Sequence, residues 1–399
     1  MEGLHNQYDA IIVGAGPAGS VAARRLAQAG LKVLVAEQRR QIGEPVQCAE
    51  FVPRRIESYV NVRPVDIAQP VNGIRTFIAG EIAQSLKAPG YVLRRNMWDS
   101  GLAAAAAAAG ADIRTGIRVI GVNRNHVILR KGTVLKAVRG RFILGCDGAQ
   151  SVVGRHLGNG AQEHCVAMQR EMALCRPLTD AGIYFDPGIY GGYAWLFPKG
   201  MVANVGMAVH PSQGSKLRGT LEAFCQQLVN DNMIRNSAGR IVGGIVPAGG
   251  MVSCLGKENI LVAGDASGCV HPITGAGVMN AVISGRLAAT AVLQNLQQVG
   301  ATAGSYQQAM EAEFGRQFSW ARQRLLWRDR EWATAGDTFS ILIRRSWIAF
   351  PEYYRPWQKA EQGGSNNGRE REPAGKSRLG ADQPGRRHGI GAETGQLLS

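Results

Sequence analysis

The sequence predicts a mixed α/β fold, in which a parallel-sheet domain is interrupted by an antiparallel-sheet domain of α+β type and followed by a helical C-terminal region. Three patterns support this prediction. Two short apolar runs at 8–13 and 32–36 flank a segment with helical spacing, as in a β-α-β unit. Short segments of alternating polarity follow between 165 and 209, and apolar residues recur at helical spacing from 305 to 357.

The composition is that of a globular protein with more than one domain. The chain has 399 residues, 45% of them apolar and 19% charged, and its 52 glycines follow no triplet repeat. Its formal charge of +15 favours anionic partners, such as a phosphorylated cofactor or an anionic lipid. Nucleic acid is not expected as a partner, because the basic residues are dispersed and no recognition motif accompanies them.

The cysteines and the apolar stretches indicate the cellular compartment of the protein. Seven scattered cysteines without a Cys-x-x-Cys pair fit neither a disulfide framework nor a zinc site, so we expect a reducing compartment and no metal. The longest wholly apolar stretch, 102–109, is too short to span a membrane, and no signal-peptide core precedes the first strand. We therefore expect a cytoplasmic protein, with peripheral contact to the inner membrane face left open.

A glycine-rich turn connects the first predicted strand to the first predicted helix. Gly14 permits a tight turn, Gly16 lets backbone N–H groups approach a pyrophosphate, and Gly19 allows close helix packing. Glu37 ends the second strand, where a carboxylate can accept both ribose hydroxyls of an adenosine. The unit predicts a Rossmann-type dinucleotide site, and two arginines after it leave FAD, NAD and NADP all open. The predicted contact residues are Gly14, Gly16, Pro17, Ala18, Gly19, Glu37 and Gln38.

A second strand-to-helix turn lies late in the chain. Gly264 and Asp265 follow the buried run 259–263, and glycines open the helix predicted from 275 to 293. Backbone N–H groups at such a helix start favour an anion, and Asp265 can accept a hydrogen bond from a ribityl hydroxyl. An ordinary turn is the alternative, since Gly-Asp pairs are common in turns. The predicted contact residues are Gly264, Asp265, Gly275, Ala276 and Gly277.

Several motifs together resemble one group of flavoenzymes. They are the segment 9–19 with Glu37, Arg95-x-x-Trp98-Asp99, Cys146-Asp147-Gly148-Ala149-Gln150-Ser151, and Gly264-Asp265 through Gly277. Over about residues 8–300 the chain is similar to the FAD oxidoreductases that include aromatic hydroxylases. The resemblance implies FAD as cofactor, and Asp147 with Gly148 between FAD and a pyridine nucleotide. It also implies Arg95, or by sequence alone Arg94, on the FAD pyrophosphate or ring edge; a surface position is the alternative for either.

Two further strings resemble a branch of that group, the geranylgeranyl reductases. They are Pro45-Val46-Gln47-Cys48 and Tyr193-x-Trp195-x-Phe197-Pro198-Lys199-Gly200. The resemblance implies an FAD-dependent reductase that hydrogenates the C=C bonds of an isoprenoid chain on a lipid, quinone or pigment precursor. Alternation along a strand places Tyr193, Trp195 and Phe197 on one side. We expect these rings, with Pro198, to contact the substrate; packing between sheets is the alternative.

The resemblance also gives candidates for catalysis. Cys48 is implied to lie close to the flavin ring, where a thiol can donate a proton or line the pocket. Buried packing is the alternative for a solitary cysteine. We predict Cys48, Tyr193 and Trp195 as catalytic residues. Where the family usually has glycines after the cysteine, this chain has Ala49-Glu50, so Glu50 is either an additional acid or a solvated side chain.

The electron donor and two other functions stay open at this stage. No second complete dinucleotide fingerprint is present, so NAD(P)H, a ferredoxin or a quinol are all candidate donors. One alternative function is an FAD-dependent monooxygenase, hydroxylase or halogenase of the same superfold. The halogenase pattern of a lysine and two tryptophans is not found, because Tyr193 occupies the first aromatic position. The other is a relay resembling electron-transfer flavoprotein-quinone oxidoreductase.

The predicted domains follow from these assignments. They are a discontinuous FAD-binding domain at 1–160 and 250–300, a substrate domain at 161–249, a helical C-terminal cap at 301–358 and a disordered tail at 359–399. The cap carries five of the seven tryptophans and is rich in arginine, which predicts either a lipid-facing surface or core packing. The tail is rich in glycine and poor in large apolar side chains, so burial cannot offset its ordering entropy.

Overall fold

The computed structural model describes residues 1, 3–237, 239–297 and 301–356, and its strands and helices are numbered in chain order. The sixteen strands of the described residues form two eight-stranded sheets. The first sheet consists of β1 (Gln7–Val13), β2 (Val33–Glu37), β6 (Asp112–Thr115), β7 (Arg118–Asn123), β8 (His126–Lys131), β9 (Val134–Gly145), β15 (Gly256–Lys257) and β16 (Ile260–Val262).

The first sheet is parallel through its centre, as the buried apolar runs predict. Its order is β15-β16-β9-β1-β2-β6, with the β7-β8 hairpin added on β9. β1 pairs in parallel with β2 and β9, and β16 pairs in parallel with β9, so their carboxyl ends meet at one edge. That edge is where ligands bind in doubly wound sheets.

Eight α-helices are described. They are α1 (Pro17–Gln28), α2 (Arg95–Ala108), α3 (Val152–His156), α4 (Leu217–Asn230), α5 (Val278–Gln294), α6 (Thr302–Met310), α7 (Arg316–Glu331) and α8 (Phe339–Ser346). α1 packs between α2 and α5 on one face of the first sheet. α1 and α5 approach so closely that a Cβ on Gly285 would lie 2.3 Å from the Ala18 carbonyl oxygen. The two helices can therefore pack this closely only because the residues at their contact are small.

The second sheet is larger than the sequence predicts. Its order is β14-β10-β13-β12-β11-β4-β5-β3, and each pair is antiparallel except the parallel pair of β11 and β4. The strands are β3 (Phe51–Pro53), β4 (Ile67–Ile78), β5 (Glu81–Leu93), β10 (His164–Ala173), β11 (Asp180–Phe185), β12 (Tyr193–Lys199), β13 (Val202–Val209) and β14 (Ile241–Pro247).

The second sheet therefore extends beyond the predicted bounds 161–249, because β3, β4 and β5 come from the segment assigned to the FAD-binding domain. β4 joins this sheet by pairing in parallel with β11. Asp180 lies opposite Gly73 at one end of the pairing, and Phe185 lies opposite Ile78 at the other. Local sequence patterns do not reveal such a pairing, since it joins strands that lie far apart in the chain. Residues 51–93 thus contribute strands to the second sheet, and the following helix, α2, packs on α1 beside the first sheet.

The C-terminal helices cover one face of the second sheet. Trp332 and Trp347 are buried there, with 4% of each residue exposed, and their indole nitrogens donate to the Pro187 carbonyl and the Thr76 hydroxyl. Trp320, which is half-buried, donates to the Tyr353 carbonyl. These contacts favour core packing over lipid contact for the three rings. Trp357 and the predicted tail at 359–399 lie outside the described residues.

Within the described ranges, none of the helices combines the length and the apolar composition that crossing a membrane requires.

Two glycine-to-alanine changes in helices should have opposite effects on stability. Gly219→Ala in α4, where the new Cβ meets nothing within 4 Å, should raise the free energy of unfolding by about 0.5–1 kcal/mol, because alanine loses less backbone entropy. Gly285→Ala has the same gain in helix propensity but forces α1 and α5 apart, so it should lower stability. Urea unfolding checks both, and a stabilised Gly285→Ala protein would contradict the close packing of these helices.

Candidate active site

One cavity of about 1210 Å³ lies where the carboxyl edge of the first sheet meets the second sheet. Both glycine-rich turns line it, as do residues of β12 and of the loop before β3. The predicted site residues that line it are Gly14, Gly16, Pro17, Ala18, Glu37, Gln38, Cys48, Arg95, Asp147, Gly148, Tyr193, Trp195, Phe197, Gly264, Asp265, Gly275, Ala276 and Gly277. Segments distant in sequence thus converge on one site.

The first glycine turn has the geometry of a pyrophosphate cradle. Gly14 has φ +98°, and a Cβ on it would lie 2.4 Å from the Cys146 carbonyl oxygen, so no other residue fits. Gly19 does not line the cavity; its α-carbon packs against the Gly14 carbonyl, in the packing role that the sequence predicts. A Cβ on Gly16 would meet nothing within 4 Å, so it would occupy open cavity space at the start of α1. The residues therefore fit a dinucleotide phosphate group.

Glu37 shapes this turn and keeps hydrogen-bonding capacity for a ligand. Its Oε2 accepts from the Ala15 N–H at 2.8 Å and its Oε1 from the Arg39 N–H at 2.7 Å. Each carboxylate oxygen can accept a second hydrogen bond, which suits the ribose hydroxyls of an adenosine. The Arg39 guanidinium donates to the Pro45 carbonyl and the Gln47 amide oxygen. Arg39 is thus committed to a loop rather than free for a 2′-phosphate.

The second glycine turn lies beside the first. Gly264 has φ +64°, and its N–H donates to the Ser284 hydroxyl at 2.9 Å. Asp265 follows it at the cavity wall, where burial raises the pKa of its carboxyl. Gly275 has φ +64° and lies shortly before the start of α5, so this segment supplies a helix N-terminus that faces the cavity. The two turns thus bring two helix starts to one cavity, an arrangement that fits the two anion-binding ends that the sequence predicts.

Asp147 is committed to the protein rather than to a ligand. Its carboxylate accepts from the Ser151 hydroxyl and from the Val152 N–H at 2.7 Å, so it holds the start of α3. Burial raises its pKa. These bonds give no support to the predicted place of Asp147 between two cofactors, although Gly148, at φ +80°, does line the cavity.

The structure distinguishes the two candidate arginines. Arg95 is buried at the cavity and donates to both carboxylate oxygens of Asp99, at 2.7 and 2.9 Å. Burial alone would lower the pKa of Arg95, but the Asp99 carboxylate outweighs it and raises that pKa. Arg94 points elsewhere, donating to the carbonyls of Val65 and Ile67. Arg95 is therefore the arginine that could contact a cofactor.

The aromatic wall, defined as Tyr193, Trp195 and Phe197, forms as the alternation predicts. Consecutive ring centroids are 6.1 and 6.3 Å apart, and all three rings line the cavity. The Tyr193 hydroxyl donates to the Thr274 carbonyl, which ties the wall to the second glycine turn. Pro198 does not line the cavity, because the alternation places it on the opposite side of β12, so the structure gives no support to its predicted substrate contact.

Cys48 lines the same cavity with a protonated thiol. The Glu50 N–H donates to its Sγ at 3.2 Å, and the Gln169 amide donates to its carbonyl at 2.7 Å. Burial raises the pKa of the Cys48 thiol above its ordinary value of 9.0, more than the Arg95 charge lowers it. A thiol that keeps its proton at neutral pH can donate it.

Sequence reasoning missed several polar residues of the cavity. Gln169, on β10, also accepts from the Trp195 indole N–H at 3.3 Å, and Arg328, on α7, donates to the Gly191 carbonyl at 2.7 Å. Neither has a local signal, since only the sheet pairing and the C-terminal helices bring them there. His271 did have a local signal in the sequence, because it lies shortly before Gly275 in the second predicted glycine turn. In the part of the chain that the structure describes, no cluster of three or more metal-ligating side chains occurs.

Comparisons with known proteins agree with this geometry. Residues 7–173 match the model of the FAD binding domain family, and residues 181–248 match that of the geranylgeranyl reductase catalytic domain. The digeranylgeranylglycerophospholipid reductase 1 of Methanopyrus kandleri is 34% identical over 79% of this chain and 89% of its own length. The corresponding reductase of Methanosarcina acetivorans is 31% identical over 72% of this chain and 75% of its own length.

Solved structures show the same fold. A geranylgeranyl bacteriochlorophyll reductase-like protein from Thermoplasma acidophilum superposes with a TM-score of 0.75 at 27% identity, covering 86% of this chain and 92% of that one. A probable FAD-dependent monooxygenase from Pseudomonas aeruginosa gives 0.63 at 19% identity, covering 85% and 100%. The second likeness shows the fold alone.

Fold, glycine turns and family models define an FAD-dependent oxidoreductase. Within that class, the chain belongs to the geranylgeranyl reductase family. The predicted family, fold class and enzyme class are confirmed, and the predicted cofactor FAD is confirmed at the level of the domain. The predicted roles of single residues stay predictions.

Gly16→Val should give a folded protein without FAD. The added side chain enters open cavity space, so the fold is unaffected, but it fills the cradle for the pyrophosphate. Absorbance of the purified protein near the flavin bands, together with circular dichroism, measures both properties. Gly219→Val, in open space on α4, is the matched control and should keep its flavin. Full flavin content in Gly16→Val would place the cofactor elsewhere.

Proposed function

We propose that this protein uses FAD to reduce the C=C bonds of geranylgeranyl chains on a membrane lipid, with the digeranylgeranyl glycerophospholipids named for its relatives as the first candidate substrates. The observation that carries the proposal is that the aromatic wall faces the same cavity as the two glycine turns. A flat apolar surface beside a flavin site suits an extended hydrocarbon chain.

The side chains around the aromatic wall also favour binding of an apolar substrate. Phe51 extends the wall, with its ring 5.7 Å from that of Phe197, and Ile74, Leu86 and Ile183 line the cavity beside it. A hydrocarbon chain bound here leaves water, which is the main favourable contribution to its binding.

The chemistry that FAD supplies when bound is hydride transfer to a carbon–carbon double bond. The protein must then provide a proton for the second carbon and exclude water. We propose that the Cys48 Sγ–H is the proton source, since it is protonated and lies at the cavity; water is the alternative source. Trp195 and Tyr193 orient the chain. The Tyr193 hydroxyl is occupied by the Thr274 carbonyl, so its ring rather than its proton is the functional part.

Replacing Cys48 should separate these roles. If its thiol donates the proton, Cys48→Ala should lower kcat by roughly 10²–10⁴-fold with FAD binding retained. Tyr193→Phe should keep most of the rate. Cys175→Ser, at a thiol that does not line the cavity, is the control and should behave as the native protein. Stopped-flow reoxidation of reduced flavin by the lipid measures the rates, and an unchanged rate in Cys48→Ala would assign the proton to water.

The reaction itself is tested anaerobically. The protein is purified with its flavin, reduced with dithionite and mixed with geranylgeranyl lipids or menaquinone, and products are analysed by mass spectrometry. The expected result is a ladder of products that gain two hydrogens per reduced bond. In a parallel reaction with air admitted, oxygen-dependent hydroxylation would indicate a monooxygenase. In the anaerobic reaction, flavin reoxidation by quinone without a hydrogenated product would indicate an electron relay.

The physiological electron donor is part of the same proposal. We propose NAD(P)H, a ferredoxin or a quinol as the reductant, because no second dinucleotide fingerprint selects one of them. Anaerobic bleaching of the flavin by each donor in turn distinguishes the three, and the fastest reduction identifies the class.

We also propose that the protein works at the cytoplasmic face of a membrane, through the outer side of α7 and α8. Leu326 and Ile341 are exposed there, at 53% and 56%, and Arg345 lies 5.7 Å from the Trp327 ring, which brings the two helices together. Exposed apolar side chains among arginines fit an anionic lipid surface. The double variant Leu326→Asp, Ile341→Asp should lose sedimentation with vesicles containing phosphatidylglycerol. Equal vesicle binding by the variant and the native protein, or no vesicle binding by the native protein, would contradict the proposed membrane-binding surface.

A further inference from the structure

Glu50 occupies a position where a side chain is unfavourable. Its φ is +71°, in the left-handed region, although only 2% of the residue is exposed and it lies next to the cavity. A residue other than glycine persists there only where its surroundings determine the conformation.

The Glu50 carboxylate joins four parts of the fold. Its Oε1 accepts from the Arg95 backbone N–H at 3.0 Å, at the start of α2. Its Oε2 accepts from Lys199 Nζ at 2.7 Å, at the end of β12, and from the Asn204 amide at 2.8 Å, on β13. Asn204 donates in addition to the Ala49 carbonyl at 3.1 Å. The loop that carries Cys48 is therefore fixed to the first sheet's helix and to the strand of the aromatic wall.

The same turn aims the thiol. With φ positive at Glu50, its own N–H donates to Cys48 Sγ, and the Cys48 carbonyl is held by Gln169. Lys199 keeps a second carboxylate partner, Glu171, at 3.1 Å on the half-exposed side. Of the two carboxylates on Lys199, the buried one of Glu50 is therefore the one next to the Cys48 turn, and the half-exposed one of Glu171 is not.

We propose that Glu50 is a positioning residue for the reaction: its carboxylate locks the left-handed turn that holds the Cys48 thiol against the substrate cavity. This inference rests on the role proposed above for Cys48. Glutamine cannot replace it, because both carboxylate oxygens accept from N–H donors and an amide would present a donor to one of them. Glycine relieves the backbone but removes all of the carboxylate contacts.

The test measures Cys48 directly in the flavin-loaded protein without substrate. Iodoacetamide labelling of the Cys48 peptide, followed by mass spectrometry across pH, gives the midpoint of thiol ionisation free of the other six cysteines. In Glu50→Gln and Glu50→Gly the labelling rate per thiolate should rise at Cys48 alone, because release of the turn frees its Sγ from the backbone N–H. A shifted midpoint without that rise would reflect only the lost carboxylate charge, and a rise at all seven cysteines would show general loosening; either result would overturn the proposal.

Catalysis provides the second measurement. Both variants should lower kcat on the order of 10- to 100-fold with KM little changed, as expected for misplacement of a reacting group. Glu171→Gln, which removes the other carboxylate on Lys199, should leave the labelling rate per thiolate and kcat unchanged. Native behaviour of Glu50→Gly would overturn the proposal, as would a Cys48 that no variant exposes to labelling at any pH. The labelling result does not depend on which substrate is reduced, so failure of the proposed function is recognised separately.

Discussion

The site depends on one close backbone contact at the edge of the parallel sheet. Gly14 approaches Cys146, and Gly19 approaches Gly14, at distances that leave no room for a Cβ. This contact sets the start of α1, so its free N–H groups point into the cavity. Gly264, also in the left-handed region, ends the neighbouring strand and leads towards α5 in the same way. Substitution at these glycines would displace both anion-binding ends, however well the rest of the molecule packed.

Around this edge the protein neutralises its own buried charges in pairs. Arg95 is paired with Asp99, and Glu50 with Lys199. Arg328 is held by the Gly191 carbonyl and by Asp329. Burial of a charge is costly unless a partner compensates it, and an unpaired charge would also repel a hydrocarbon chain. Pairing therefore lets charged groups position the cofactor and the Cys48 loop while the aromatic wall stays apolar.

The parts of this structure that are local in sequence were predictable, and those set by long-range pairing were not. The turn at Gly14–Gly19 and the acid Glu37 lie within one β-α-β unit, and the aromatic wall follows from alternation along one strand. The same alternation, applied to Pro198, would have excluded it from the substrate face. In contrast, the entry of β4 and β5 into the second sheet depends on a parallel pairing with β11. Gln169 reaches the cavity by that same assembly, and nothing in its own segment indicates it.

Burial favours the uncharged form of two groups in the cavity, His271 and Cys48. His271 accepts from the Thr274 N–H at Nδ1, so its proton is on Nε2, and burial lowers its pKa to about 4. The pKa of Cys48 is shifted in the opposite direction, above 9.0. The imidazole is therefore neutral above about pH 4 and the thiol neutral below about pH 9. Since neither of these two groups changes charge from pH 5 to 8, a strong pH dependence in that interval would have to come from other groups, among them the cavity carboxyls of Asp147 and Asp265, whose pKa values burial raises.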